Sequence, residues 1–172
     1  MVSLVRKADV NKILVCGSGP GGLVKTCLEE FSTSSPAIVA IEYDKEAFHL
    51  YQLYLHDWGY GGDARVTQLF SDAFQYLGEV TLQPQMFSAI FWDIDAEAIP
   101  HCAAVDWARV WRMVNRNLSS NGFLVATAGF IAERAKQSPY TIFLDSLQEA
   151  FPAGKVTDYT RLNWRFFSAK KV

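Results

Sequence analysis

The chain has 172 residues, which suits one domain with a sizeable core, 1–172, its first residues, 1–11, forming a short lead-in. Half of the residues are hydrophobic and 14% are aromatic, too many for a disordered chain, yet no apolar run approaches the length that spans a bilayer. A formal charge of −2, with no basic run longer than Lys170-Lys171, gives no general attraction to nucleic acid.

Cys16, Cys27 and Cys102 are odd in number, widely spaced and never C-x-x-C, which suggests neither a disulfide framework nor a zinc site. The opening MVSLVRKADV is too short and too polar for a secretory signal. The expectation is a cytoplasmic protein without membrane attachment or bound metal.

The first informative stretch is Lys12 to Gly22, KILVCGSGPGG. Ile13, Leu14, Val15 and Cys16 form the short apolar run of a strand buried on both faces of a parallel sheet. Gly17, Gly19 and Gly22 then fit G-x-G-x-x-G, and Leu23 to Phe31 carries apolar residues at helical spacing. Between a strand and a helix, glycines let the backbone approach a ligand closely, and the helix start offers N–H groups to polar or anionic atoms. Pro20 is assigned to the first helical turn, where its missing N–H costs nothing.

Residues 32–36 (STSSP) read as a loop, and Ala37 to Ile41 as a second buried strand ending in Glu42-Tyr43-Asp44. Glu42 lies 25 residues after Gly17, close to the spacing at which an acid reaches the ribose hydroxyls of a nucleotide seated on the turn. A carboxylate there can accept hydrogen bonds from both the 2′ and the 3′ hydroxyl, and a solvent-facing acid at a strand end fits the residue equally well.

Lys45 to Trp58 reads as an amphipathic helix through Phe48, Tyr51, Leu55 and Trp58, with His49 and His56 as ordinary helix residues. Arg65 to Phe70 alternates as a third strand, followed by Asp72 and Ala73. Asp72 suits either an adenine amino group or the cap of the helix that Ala73, Phe74, Tyr76 and Leu77 begin. Phe87 to Trp92 is a fourth apolar run, ending in Asp93-Ile94-Asp95. Acids at the ends of three successive strands matter together, because open parallel sheets bind ligands along that edge.

Val105 to Leu118 reads as a helix, residues 119–122 (SSNG) as a turn, and Phe123 to Thr127 as a fifth strand, with Gly129 leaving the sheet. Ser138 is read as the cap and Pro139 as the first position of a further helix closed by Phe151-Pro152. Lys155 to Tyr159 and Trp164 to Ala169 read as two strands joined around residues 161–163, which places an antiparallel strand in the sheet.

Five strand–helix alternations followed by a terminal hairpin resemble the S-adenosylmethionine-dependent methyltransferase superfamily. The segments VCGSGPGG, IEYDKEA, SDAFQYL, FSAIFWD, NLSSNGFLVATAG and NWRFFSAKK more narrowly resemble the catalytic domain of spermidine synthases and related aminopropyltransferases. The resemblance covers nearly the whole chain from Lys12. It implies an α/β fold of three α-β-α layers: a Rossmann-like, seven-stranded, mostly parallel sheet with a C-terminal antiparallel hairpin. It also implies S-adenosylmethionine as cofactor, held by Gly17, Ser18, Gly19, Gly21 and Gly22, by Glu42 and Tyr43 at the ribose, by Asp72 and Ala73 at the adenine, and by Asp93.

The departures from the synthase pattern count against polyamine synthesis. Aminopropyl transfer needs an acid as general base for the amine. Ala96 stands where the synthases carry that second acid, Pro20 where an acid meets the amino end of the decarboxylated cofactor, and Ser88 in place of another common acid. The small N-terminal β-domain of the synthases has no counterpart. Methyl transfer, which requires mainly alignment and exclusion of water, is the leading expectation. Its acceptor would be a small molecule oriented by Asp93 or Asp95, with His101 either a base or an ordinary loop histidine, and Tyr60 in the wall.

The alternatives are an aminopropyltransferase, a non-catalytic S-adenosylmethionine-binding protein and, from GSGPGG alone, an FAD- or NAD-binding protein. A homodimer is expected, because so little chain precedes Lys12 to supply a lid.

Overall fold

The computed structural model describes residues 10–80, 87–94, 105–130, 138–152, 156–161 and 164–172. Strand β1 (Lys12–Cys16) leads through the glycine turn into α1 (Gly22–Glu30), and β2 (Ala37–Glu42) into α2 (Lys45–Asp57). Strand β3 (Val66–Phe70) precedes α3 (Ala73–Val80), and β4 (Phe87–Trp92) precedes α4 (Trp107–Asn117). Then come β5 (Leu118–Phe130), α5 (Ser138–Ala150), β6 (Thr157–Arg161) and β7 (Trp164–Lys170).

The seven strands form one sheet in the order β3-β2-β1-β4-β5-β7-β6. Strands β1 to β5 pair in parallel, and β7 pairs antiparallel with both β5 and β6. The expected seven-stranded, mostly parallel sheet with a C-terminal antiparallel hairpin is therefore present. Inserting β7 between β5 and β6 also separates this order from the dinucleotide-binding order 3-2-1-4-5-6, which weakens the FAD or NAD reading.

Side chains alternate across the sheet and build two cores. Ile13 and Val15 of β1, with Ile38 and Ala40 of β2 and Ala89 and Phe91 of β4, pack against Val24, Cys27 and Leu28 of α1 and Tyr51 and Leu55 of α2. Leu14, Cys16, Ile41, Ile90 and Trp92 face the other way, onto α3, α4 and α5. Three layers result because both faces of the central strands are apolar and each demands a cover.

The second core is dominated by rings. Trp107 and Trp111, four residues apart on α4, stack at 5.6 Å, and Phe143 of α5 packs edge-on against both at 4.9 Å. The Trp111 indole N–H donates to the Phe143 carbonyl at 3.2 Å, so one polar atom of this cluster is satisfied across two helices. Burial pushes the Cys16 thiol well above its usual range and the Cys27 thiol up to about 12, so both behave as small apolar groups.

Several local expectations are corrected. Pro20 lies in the turn before α1, whose N-cap is Gly21. Helix α4 starts at Trp107, because Asp106 caps it by accepting from the Arg109 amide at 2.9 Å. Residues 119–122 do turn, with Asn121 at φ 63°, but the turn is a bulge within β5: they stand opposite the single residue Ser88 between the pairs Phe87–Leu118 and Ala89–Phe123. Gly129 stays in β5, at a second register shift between Thr127 and Phe130, where glycine commonly marks a bulge.

Candidate functional site

Parallel pairing in register brings the carboxyl ends of β1 to β4 to one edge, with Cys16 opposite both Ile41 and Trp92, and Glu42 opposite Phe70. The residues that follow are tied together by backbone bonds. The Gly17 and Ser18 amides both donate to the Ile41 carbonyl at 3.0 Å, the Asp93 amide donates to Cys16 at 2.8 Å, and the Ser71 amide to Glu42 at 3.1 Å. Sequence-distant Gly17, Glu42, Asp72 and Asp93 thus share one edge.

The turn itself is closely fitted to the protein. Gly17 has φ +78°, and a Cβ there would lie 2.9 Å from the Asp93 carbonyl oxygen and 2.9 Å from Ile94 Cγ1. Gly21 has φ +93° and lies against the Tyr51 ring of α2, which a Cβ would approach to 3.0 Å. At Gly19 and Gly22 a Cβ would meet nothing within 4 Å. The expected role of the glycines therefore divides: two admit neighbouring protein, and two leave open space.

Glu42 is 9% exposed, and its carboxylate is held by three backbone amides. Oε2 accepts from Gly19 at 2.7 Å, while Oε1 accepts from Tyr43 at 2.9 Å and Asp44 at 2.8 Å. The solvent-facing reading of this acid is set aside. Asp72 Oδ1 accepts from the Phe74 amide at 2.7 Å and the Gln75 amide at 3.1 Å, so it caps α3, one of the two readings open to it. Ala73 puts its methyl into the second core, and Tyr43 stands 73% exposed beside Glu42. Asp93 is exposed directly after the buried Trp92.

The Ser18 hydroxyl is buried in the turn with no hydrogen-bond partner. A buried orphan hydroxyl is uncommon and costly, and its place next to the open space at Gly19 fits a polar ligand atom arriving there. Nor does any side chain cap α1. Ser18, the open backbone at Gly19 and Gly22, and the Glu42 carboxylate together fit an adenosyl cofactor at this edge. The orphan hydroxyl had no signal in the sequence beyond the position of Ser18 inside the turn.

Other expected residues lie elsewhere. Asp95, His101 and Ala96 fall outside the described residues. Ser88 sits near the start of β4, where its hydroxyl accepts from the Asn11 and Lys12 amides and donates to the Lys12 carbonyl. It ties strand starts together at the opposite end from the glycine turn, so its departure from the synthase pattern says nothing about an amine site. Tyr60 lines a cavity of about 330 Å³ between the second half of α2, the loop after it, and Val66 and Gln68 of β3. The lining of that cavity includes none of Glu42, Asp72 and Asp93.

The sequence matches no protein-family model and no curated protein. Solved structures do match. Spermidine synthase from Thermotoga maritima superposes with a TM-score of 0.72 at 17% identity, over 96% of this chain and 55% of its own. The fold is that of spermidine synthases and S-adenosylmethionine-dependent methyltransferases. Fibrillarin from Aeropyrum pernix, solved with natively bound S-adenosyl-L-methionine, has a TM-score of 0.69 at 13% identity, covering 96% of this chain and 68% of that one. An S-adenosylmethionine-dependent O-methyltransferase from Thermotoga maritima gives 0.66 at 16% identity, over 99% and 62%. The chain spans a little over half the length of the spermidine synthases it matches. No described helix is long and apolar enough to cross a membrane.

Proposed function

We propose that this chain binds S-adenosylmethionine along the carboxyl ends of β1 to β4 and transfers its methyl group to a small molecule. The observation that carries the reading is the buried Glu42 carboxylate held against the glycine turn, next to the unpartnered Ser18 hydroxyl. In this arrangement Glu42 Oε2 takes a ribose hydroxyl, Ser18 and the open amides at the start of α1 meet the amino-acid end, and exposed Tyr43 lies along the adenosyl group. Asp72, while capping α3, borders the adenine end, and Asp93 borders the transferable methyl.

S-adenosylmethionine supplies an electrophilic methyl carbon, so the protein has to align a nucleophile with it and keep water out. Asp93 would orient the acceptor through its carboxylate. Gly17, pressed against Asp93 and Ile94, fixes how close that acid stands to the turn. Apolar Ile94 covers the turn beside it and limits water there.

Calorimetric titration with S-adenosylmethionine and with its decarboxylated form tests the reading, with Glu42→Ala and Asp72→Ala as controls. Preference for the intact cofactor, lost in the variants, supports it. Preference for the decarboxylated form restores aminopropyl transfer, and no binding of either removes the pocket. Tight binding without methylation of any acceptor in a broad small-molecule panel leaves a binding protein. A second copy completing the acceptor side belongs to the same proposal, and a monomeric sedimentation coefficient at assay concentration would count against it.

A further inference from the structure

We infer that the cavity between α2, the loop after it and β3 is a second ligand site, suited to a small, neutral, planar ring with an N–H and a carbonyl side by side. Free pyrimidine and purine bases carry such an edge. The inference does not depend on the cofactor reading above, since the lining takes in none of that reading's acids.

The cavity is preformed. At about 330 Å³ it lies at the small end of ligand sites and takes one ring or a fused pair. Its loop wall is tied to α2 by main-chain bonds, the Gly59 amide donating to the His56 carbonyl at 3.0 Å and the Tyr60 amide to Leu55 at 2.8 Å. The same loop is closed toward β3 by the Asp63 amide on Tyr60 at 3.1 Å and the Val66 amide on Asp63 at 3.0 Å. Gly59 and Gly62 take left-handed φ of 82° and 72° to make the turn. Gly61 is pressed against His56, whose Cα a Cβ would approach to 3.0 Å. A wall held in this way needs little further ordering when a ligand arrives.

The lining sets the ligand's chemistry. Leu55 and Val66 supply apolar surface for a ring. Gln68 donates through Nε2 to the Phe48 carbonyl at 3.1 Å, which fixes its amide and leaves Oε1 as an unfilled acceptor. The Gly61 and Gly62 amides have no hydrogen-bond partner among the described residues, so the lining offers donors as well. An acceptor and nearby donors complement a cyclic amide, whose ring N–H goes to Gln68 and whose carbonyl goes to the loop. Charge points the same way. Asp63 is the one carboxylate in the lining, and Arg65 answers it through Nε at 3.0 Å and Nη2 at 2.6 Å. A cation therefore finds no free carboxylate and an anion no free guanidinium, while a neutral ring has the least desolvation to repay.

The test titrates uracil into the ¹⁵N-labelled wild-type chain, alone and with S-adenosylhomocysteine present. 1,3-Dimethyluracil, which has no N–H, is the comparison ligand. The expected result is a saturable shift of the Gly61 and Gly62 amide resonances with a Kd of about 1 mM or tighter, the same with and without the nucleoside. 1,3-Dimethyluracil should bind at least about fivefold more weakly, and a smaller difference overturns the amide-edge recognition. Absence of a saturable shift at these glycines overturns the inference. So does a shift confined to the glycine turn after β1 or abolished by S-adenosylhomocysteine, which would seat the base in the proposed cofactor pocket. Failure of S-adenosylhomocysteine itself to bind removes that pocket and leaves the uracil result readable, so the two readings fail separately. Gln68→Leu removes the acceptor and should weaken uracil by the same factor while leaving 1,3-dimethyluracil unchanged. Unaltered uracil affinity in that variant would overturn the role given to Gln68, and if the variant does not fold, the two ligands on the wild-type chain decide the matter.

Discussion

A Cβ on Gly17 would press on the Asp93 carbonyl at 2.9 Å, whereas one on Gly22 would meet nothing within 4 Å, so neighbouring glycines separate folding from binding. Gly22→Ala is expected to leave stability within about 0.5 kcal/mol of wild type, since it adds no clash and alanine suits a helix start. Its affinity for S-adenosylmethionine should nonetheless fall, and calorimetry beside thermal melting checks both halves. A second residue-scale prediction concerns Asp63, whose carboxyl is held below its usual range first by hydrogen bonds from the Arg65 side chain. A depressed folded-state pKa gives stability that is present above the unfolded value of about 3.9 and is lost as pH falls through the folded one. Asp63→Asn should cost under about 1 kcal/mol at pH 7, as expected of a pair near the surface, and the gap to wild type should close below about pH 4 in urea titrations. The acids of the candidate site were legible in the sequence because each ends or closely follows a short strand. The bond from Gly19 to Glu42 was not, since it joins residues 23 apart through a turn conformation that no local pattern encodes.

Asp72 shows how an element and a site can share a residue. Its Oδ1 caps α3, and the same carboxylate borders the proposed adenine end. Asp72→Ser keeps a capping oxygen and shortens the reach. It should therefore melt close to wild type, while Asp72→Ala loses about 1 kcal/mol of cap and both lose nucleoside affinity. Melting curves paired with titrations separate the two roles. Most strands and helices could be read from the sequence because β1, β2 and β4 are largely apolar runs, β3 alternates, and the helices carry clear apolar stripes, as Trp107, Val110, Trp111 and Val114 do on α4. Beyond the starts of α1 and α4, the misreadings fall at β5. Asn121 and Gly122 signal a turn truthfully, yet the chain re-enters the same strand after it, and only the partner Ser88 on β4 reveals that the turn is a bulge. A local signal cannot report whether the strand resumes.

Across the molecule, burial is uneven in a way that predicts exchange. Every residue of β4 is buried, whereas edge strand β3 has none that is. Amide hydrogen exchange followed by mass spectrometry should find the slowest peptides in β1 and β4 and fast exchange in β3, the edge that borders the 330 Å³ cavity. Equal protection of β3 would mean that something covers this edge in solution. Strand β7 has a different consequence. It comes last in chain order yet sits inside the sheet between β5 and β6, sends Phe167 into the aromatic core, and is followed by Lys171, whose ammonium donates to the Asn115 and Leu118 carbonyls at the end of α4. A chain lacking β7 keeps every other strand but loses the Phe167 ring beside Phe143 of α5 and the two Lys171 bonds at the end of α4. A chain truncated just before Trp164 should therefore be cut by protease around α4 where the chain carrying β7 and Lys171 resists.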